Sequence, residues 1–194
     1  MLEFKNTSVR CAEGRLSSPF SLIVEPGEVV CVNGPAGSGK SRLLLAVMGL
    51  APVEQGFITL DGELITSGAG SYFRRMMAYV PQELPRNPIT VGDLFDMIVT
   101  GDQAQVKEAF LSELKVLGMD KAVLEKKLCD MADLDYRLLL LCVALVQRRP
   151  IVLIDDLPQV MQADRLVHSL ASNGAEVIYT CRENKLNCQK TINL

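Results

Sequence analysis

Residues 34–41 read Gly34-Pro35-Ala36-Gly37-Ser38-Gly39-Lys40-Ser41 and fit the pattern G-x-x-x-x-G-K-[ST] without a mismatch. The apolar run 29–32 before them predicts a buried strand, and residues 42–48 after them predict a helix. Glycines let the backbone wrap closely round a triphosphate, so that N–H groups and a helix N-terminus point at the anion. Lys40 would add positive charge for the phosphates, and the Ser41 hydroxyl could ligate Mg²⁺. The stretch therefore predicts binding of a nucleoside triphosphate.

Composition limits the classes of function open to this chain. Its 194 residues are 48% apolar and 22% charged, with a net charge of −3, as in an ordinary globular protein. Interspersed charges and 5% aromatic residues give no support for a nucleic-acid-binding surface. The longest apolar run, 138–146, is shorter than the roughly 20 residues that cross a bilayer, and we expect no secretory signal. Six cysteines without a C-x-x-C pair favour reduced thiols in the cytoplasm.

Strand patterns occur on both sides of the phosphate loop. Alternating apolar and polar residues over 2–9 and 20–24 predict half-buried antiparallel strands ahead of the loop. Residues 56–62 predict a strand that ends in an Asp-Gly turn, and residues 76–80 predict another strand, stopped by a proline. About thirty residues of β structure before the loop disfavour a small-molecule kinase, which usually opens almost directly on the loop's strand.

The middle of the chain has a helical pattern. Thr90 and Asp93 resemble a capping box, and apolar residues then recur at helical spacing as far as Gly118. Residues 151–154 predict a buried parallel strand that delivers the carboxylates of Asp155 and Asp156 to a ligand crevice at its end. A helix and a strand at 176–181 follow, so strands alternate with helices as in an α/β protein.

The order of these features resembles the ATPase domain of ABC transporters. The features are the turn 25–28, the phosphate loop 34–41, the segment Ala78-Tyr79-Val80-Pro81-Gln82, the helical insertion and residues 151–156. The resemblance covers essentially the whole chain. It implies an α/β P-loop NTPase core, a mainly parallel sheet flanked by helices, with an N-terminal antiparallel β part and a helical insertion subdomain.

The resemblance also implies a division of the chain. Residues 1–194 would form a single ABC ATPase domain. Its nucleotide-binding core would comprise 1–84 and 147–194, and residues 85–146 would form the helical subdomain.

Several residues acquire roles by this resemblance. ATP would be bound by residues 34–41 together with Arg42. Gln82 would contact Mg²⁺ and the attacking water, and Asp155 would be the Walker B aspartate that holds Mg²⁺ with Ser41. Asp156 stands where the family has a glutamate that activates water. Its side chain is one methylene shorter, and a misplacement of about 1 Å can cost on the order of 10²-fold in rate.

Other positions depart from the family pattern. Aligning back from the Walker B strand places residues 131–135 at the signature that binds the γ-phosphate of a partner chain. There the serine hydroxyl is missing, and Asp133 and Asp135 would face an anion, which is unfavourable. Cys181 replaces the switch histidine, and residues 159–162 replace the usual loop after Walker B.

Two further observations concern the adenine base of the nucleotide and the single histidine of the chain. No aromatic residue lies in the segment 10–15, where the family stacks one on adenine. The sole histidine, His168, falls on a predicted helix as a surface or boundary residue and is not expected to take part in catalysis.

The resemblance favours a degenerate ATP-binding subunit that binds Mg·ATP and turns it over slowly or not at all. Two alternatives stay open: a working transport ATPase with Asp156 as base, and a pseudo-ATPase that uses the nucleotide structurally or for regulation. The implied partners are a transmembrane transporter subunit that docks near Gln82 and a second ABC subunit in a homodimer or heterodimer. The chain would then lie at the cytoplasmic face of a membrane.

Overall fold

The computed structural model describes residues 1–99 and 103–194, so residues 100–102 of the predicted helical subdomain lie outside it. In chain order the elements are β1 (Leu2–Ser8), β2 (Phe20–Val24), β3 (Val29–Asn33), α1 (Lys40–Val47), β4 (Gln55–Leu60), β5 (Glu63–Leu64), α2 (Gly70–Arg74), β6 (Met77–Val80), α3 (Val91–Ile98), α4 (Gln103–Val116), α5 (Asp133–Gln147), β7 (Ile151–Ile154), α6 (Met161–Ser172), β8 (Glu176–Cys181) and β9 (Lys190–Asn193). Within the described ranges no helix has both the length and the apolar character needed to span a bilayer.

Five strands form a parallel sheet in the order β6-β7-β8-β3-β9. Every residue of β7 and β8 is buried, as expected for central parallel strands with both faces covered. Helices α5 and α6 pack against one face, while α1 and the second sheet pack against the other. Because Ile154 pairs with Tyr179 and Asn33 with Cys181, the strands β7, β8 and β3 end at the same edge. The segments that follow these three strands therefore meet there.

The second sheet is antiparallel, with the order β2-β1-β4-β5. Leu2 and Phe4 of β1 are buried against α1 and the parallel sheet. Strands β4 and β5 join through Asp61 and Gly62, both at positive φ (51° and 81°), which suits a tight hairpin turn. This sheet thus combines strands from before and after the phosphate loop.

The helical part of the chain is built around α5. Helix α3 begins with the predicted capping box, in which the Thr90 side chain accepts from the Asp93 N–H and the Asp93 carboxylate accepts from the Thr90 N–H. Phe95 of α3 stacks on Phe110 of α4 with ring centroids 4.8 Å apart. Helix α5 is buried along most of its length between α4, α6 and the sheet. It therefore links the helical region to the core.

The predicted α/β fold class and its strands and helices are confirmed in the described residues. Three short elements were not predicted from the sequence: the strand β5, the helix α2 and the edge strand β9. The division into a core and a helical subdomain at 85–146 stays a prediction, and α5 packs against both parts.

Candidate functional site

The phosphate loop connects the buried strand β3 to the start of α1. Gly37 and Gly39 adopt left-handed φ values of 80° and 97°, which side-chain-bearing residues rarely adopt. A Cβ on Gly37 would lie 2.9 Å from the Ala12 Cβ, and one on Gly39 would lie 3.1 Å from the Val9 Cγ2. The loop therefore needs glycine at both positions, because the segment that follows β1 packs closely against it.

Lys40 is folded over the loop. Its Nζ donates to the carbonyl oxygens of Gly34 at 2.7 Å and Pro35 at 2.8 Å. Partial burial lowers the pKa of the Lys40 ammonium, although the carboxylates of Asp155 and Asp156 counteract this effect. The Lys40 side chain is thus preorganised beside the loop, close enough to Asp155 and Asp156 for their charges to act on it.

A cavity of about 340 Å³ opens at this edge of the sheet. Nine of the predicted site residues line it, namely Ala36, Gly37, Gly39, Lys40, Ser41, Arg42, Gln82, Asp155 and Asp156. Three predicted residues, Gly34, Pro35 and Ser38, belong to the loop but not to the cavity wall. Five lining residues were missed by the sequence motifs: Arg10, Cys11, Ala12, Thr180 and Arg182. The cavity thus brings together the segments following β3, β6, β7 and β8.

Thr180 holds the two acidic residues that follow β7. Its hydroxyl donates to Asp155 Oδ1 at 2.7 Å and accepts from the Asp156 N–H at 2.7 Å. Asp155 is buried, and its Oδ2 also lies 3.5 Å from the Tyr79 hydroxyl. Burial, reinforced by the Asp155 charge, raises the pKa of Tyr79 to about 12, so the hydroxyl remains a donor at neutral pH. Asp155 is therefore fixed in orientation beside the phosphate loop.

Asp156 is held by Arg137 of α5. The guanidinium donates to the Asp156 carbonyl oxygen at 2.7 Å and to the Gln82 carbonyl oxygen at 2.5 Å. The Asp156 Oδ2 lies 3.9 Å from the Arg137 Nη1. A single side chain from the helical region therefore joins the predicted Q-loop residue to the predicted catalytic carboxylate.

The donors and acceptors around the cavity fit a magnesium nucleotide. Arg42 lines the cavity, and its Nε is buried with no hydrogen-bond partner among the described residues, whereas buried polar atoms of this kind are normally satisfied. Ser41 and Asp155 offer the oxygen ligands that Mg²⁺ prefers. The part of the chain that is described has no cluster of three or more His, Cys, Asp or Glu residues suited to a metal. Magnesium held here would accordingly take its remaining ligands from phosphates and water, as is usual for nucleotide sites.

The predicted signature segment lies apart from this cavity. Ala132 is the N-cap of α5 and makes no capping bond through its side chain, and Asp133 and Asp135 lie in the first turn. Carboxylates in a first turn stabilise a helix through its dipole. Asp133 also forms an ion pair with Arg86. The two carboxylates thus stabilise the start of α5 within this chain, independently of any partner chain.

The residue in place of the switch histidine faces the core. Cys181 is 1% exposed, and its Sγ lies 3.3 Å from the Cys31 Sγ. Burial raises the pKa of the Cys181 thiol. His168 is partly exposed on α6 and lies 3.7 Å from Asp164 at the i−4 position, as predicted for a boundary residue.

Comparisons with known proteins agree with this geometry. The family model for ABC transporters matches residues 18–158. The zinc import ATP-binding protein ZnuC of a Jannaschia species is 30% identical over 163 residues, which are 82% of this chain and 60% of that protein. The manganese transport system ATP-binding protein MntB of Listeria innocua is 42% identical over 84 residues, 42% of this chain and 32% of that protein. The chain thus spans between about a third and three fifths of these relatives.

Solved structures show the same fold. A putative ABC transporter ATP-binding protein from Pyrococcus furiosus superposes with a TM-score of 0.78 at 23% identity, covering 100% of this chain and 96% of that one. A bacterial Atm1-family ABC exporter with ATP bound gives 0.74 at 19% identity, covering 94% of this chain and 34% of that one. With a family model that extends over most of the sequence and a cavity built from its phosphate loop and strand-end carboxylates, the chain belongs to the ABC transporter family, as a nucleotide-binding domain.

Proposed function

We propose that this chain is the ATP-binding subunit of an ABC transporter, which binds Mg·ATP at residues 34–42 and turns it over slowly. The observation that carries this proposal is the convergence of the phosphate loop, Gln82, Asp155 and Asp156 on one cavity. Relatives named as ATP-binding proteins for manganese transport and zinc import support the same interpretation.

The residues of the cavity would have different roles in binding Mg·ATP. The backbone N–H groups of the loop and the N-terminus of α1 would bind the phosphates, and Lys40 would turn from its carbonyl partners toward the β- and γ-phosphates. Ser41, Gln82 and Asp155 would hold Mg²⁺, which supplies charge neutralisation at the phosphates. Asp156 would orient a water molecule and accept its proton.

Two features support slow turnover. Asp156 has a short side chain, and its backbone is fixed by Thr180 and by Arg137, which limits how far the carboxylate can advance toward a water. Cys181 is directed into the core and offers no donor to a phosphate. These same features favour, as the second candidate, a catalytically inactive module in which the nucleotide is structural or regulatory.

The proposed assembly follows from the family. A transmembrane subunit would dock beside Gln82, between the core and the helical subdomain 85–146, and keep the chain at the cytoplasmic face of a membrane. A second ABC subunit, identical or different, would complete the nucleotide site. No nucleic-acid partner is proposed, since the chain has a net charge of −3.

The test is calorimetric titration of Mg·ATP into the purified chain, followed by phosphate release on the same sample. Lys40→Ala removes the phosphate-loop charge, and Lys121→Ala is the matched control, because Lys121 is an exposed lysine outside the cavity. We expect binding that Lys40→Ala weakens about 10- to 100-fold or more and that Lys121→Ala leaves intact. Absence of wild-type binding would refute the proposal.

Phosphate release then separates the two candidates. Slow release that Asp156→Asn abolishes would support an impaired ATPase with Asp156 as base. Binding without release would support the regulatory module.

A further inference from the structure

Arg182 is the first residue after β8 and lies at the open edge of the parallel sheet. The preceding side chain, Cys181, is buried against Cys31, whereas Arg182 is exposed and lines the cavity. Two residues earlier, Thr180 bonds to both Asp155 and Asp156. Arg182 therefore approaches the cavity from the side of the two carboxylates.

A different segment, residues 10–12, also lines the cavity. Ala12 donates its N–H to the Gly37 carbonyl oxygen at 2.7 Å, and Cys11 Sγ donates to the Ser38 carbonyl oxygen at 3.0 Å. This segment packs on the loop at residues 37–38, whereas Thr180 and Arg182 lie toward the Walker B carboxylates. Asp155 is expected to hold the Mg²⁺ that neutralises the last two phosphates, so these phosphates would lie on the side of Asp155 and Arg182.

Arg182 and Arg42 are the cations of the cavity that lack an ion pair or side-chain hydrogen bond among the described residues, and of the two only Arg182 is exposed. The Arg10 guanidinium is paired with Glu54 at 3.0 and 3.1 Å. The Lys40 ammonium is bonded to two carbonyl groups. Within residues 1–99 and 103–194, by contrast, no ion pair or side-chain hydrogen bond forms on the Arg182 guanidinium.

Arg182 lies in the same cavity as Lys40, where the Asp155 and Asp156 carboxylates act on the Lys40 ammonium more strongly than Arg182 does. The positive charge of Arg182 contributes to lowering the pKa of Lys40, a smaller effect than burial, so the two cations repel each other across the cavity. An anion between them would convert this repulsion into two attractions. Guanidinium groups suit this task because their planar donor fork matches phosphate oxygens.

We propose that Arg182 binds the terminal phosphate of the bound nucleoside triphosphate, from the same chain and in place of the missing switch histidine. This inference rests on the proposed nucleotide binding. In it, Arg182 distinguishes a nucleoside triphosphate from a diphosphate. Arg182 would accordingly make the site prefer ATP to ADP. The adjacent Cys181 cannot contribute, because it faces Cys31.

The experiment compares Mg·ATP and Mg·ADP affinities, measured by calorimetry, for the wild type, Arg182→Gln and Arg182→Lys. Lys185→Gln is the control, since Lys185 carries the same charge nearby, is 65% exposed and does not line the cavity. We expect Arg182→Gln to weaken ATP binding about 10- to 100-fold and to change ADP binding less than about threefold. Arg182→Lys should retain part of the ATP preference, because it keeps the charge but loses the fork.

The outcomes separate this inference from the proposed function. Equal weakening of ATP and ADP would overturn the assignment to the terminal phosphate, and so would an effect no larger than that of Lys185→Gln. Absence of binding of either nucleotide to the wild type would instead refute nucleotide binding itself.

Discussion

Replacing Arg137 by Gln tests whether one side chain ties the helical region to the nucleotide site. Arg137 donates to the carbonyl groups of Gln82 and Asp156 at 2.5 and 2.7 Å, and its side chain is 17% exposed. A hydrogen bond to a charged group contributes about 1.5–3 kcal/mol when it is shielded from water. Gln82 is exposed, so its carbonyl group regains water when the bond is lost. We therefore expect Arg137→Gln to lower the free energy of unfolding by about 2–3 kcal/mol in total.

Urea denaturation measures this loss directly. With a slope of about 2–3 kcal/mol per M, the midpoint should fall by about 1 M. Arg149→Gln is the matched control, because Arg149 also donates to a backbone carbonyl, that of Arg75 at 2.6 Å, but through a single bond that is exposed to solvent. The control should shift the free energy of unfolding by no more than about 0.5 kcal/mol.

Limited trypsin digestion provides a local measurement. Cleavage after Arg86 requires the segment that follows Gln82 to open, and the cleavage rate follows the population of the open form. Loss of the bond to Gln82 should raise this rate about tenfold in Arg137→Gln. An unfolding free energy within 0.5 kcal/mol of the wild type, with unchanged cleavage after Arg86, would show that the contacts of Arg137 do not hold the site together.

Two other expectations follow from the cysteines and from the sheet edge. Cys11 lines the cavity, and its Sγ lies 3.0 Å from the Ser38 carbonyl oxygen, so bound Mg·ATP should slow alkylation of Cys11 at least severalfold. Exposed Cys129 is the control and should react at an unchanged rate. Mass spectrometry of the alkylated protein with and without nucleotide measures both rates, and equal protection of the two thiols would contradict the expectation. Burial raises the pKa of the Glu28 carboxyl, but the Lys190 ammonium at 2.6 Å and a backbone N–H outweigh burial and lower the pKa overall. The stabilisation of the folded state by this ion pair should therefore be present above pH 4.5 and be lost as the pH falls below that value. Glu28→Gln should therefore cost about 1 kcal/mol at neutral pH, with the difference shrinking in urea titrations as the pH falls below 4.5, and a loss that persists in acid would exclude the ion pair as its cause.

Local patterns were sufficient to predict the centre of the fold. The apolar runs 29–32 and 151–154 became β3 and β7, because central parallel strands are buried on both faces and carry this signal by themselves. The glycine spacing of residues 34–41 likewise specified the loop, since its backbone conformation depends on those glycines.

The edge of the sheet could not be predicted in the same way. Only Ile192 is buried in β9, so the segment Lys190–Asn193 has no distinctive apolar pattern. It forms a strand because β3 offers it an open edge and pairs with it in parallel. The helix α2 covers only residues 70–74, too short for a periodic signal.

The side chains that orient the site were also beyond the reach of sequence motifs. Thr180 and Arg137 act on Asp155 and Asp156 from β8 and α5, and no local spacing connects these positions. Only the shared edge of β7 and β8 brings Thr180 to the carboxylates. The motif therefore predicted the groups that we propose for ligand binding, while the tertiary structure shows which side chains orient them.

The charges at the start of α5 have a structural role that the alignment with the family's signature did not predict. From sequence, Asp133 and Asp135 indicate repulsion of a phosphate brought by a partner chain. In the fold, both lie in the first turn of α5, where they complement the helix dipole, and Arg86 pairs with Asp133. The helix N-terminus thus obtains its negative charge from its own chain, and a trans-bound phosphate would have to compete with these carboxylates for it. This competition supports slow turnover even if Asp156 is a competent base, because it weakens the half of the composite site that the chain would lend to its partner.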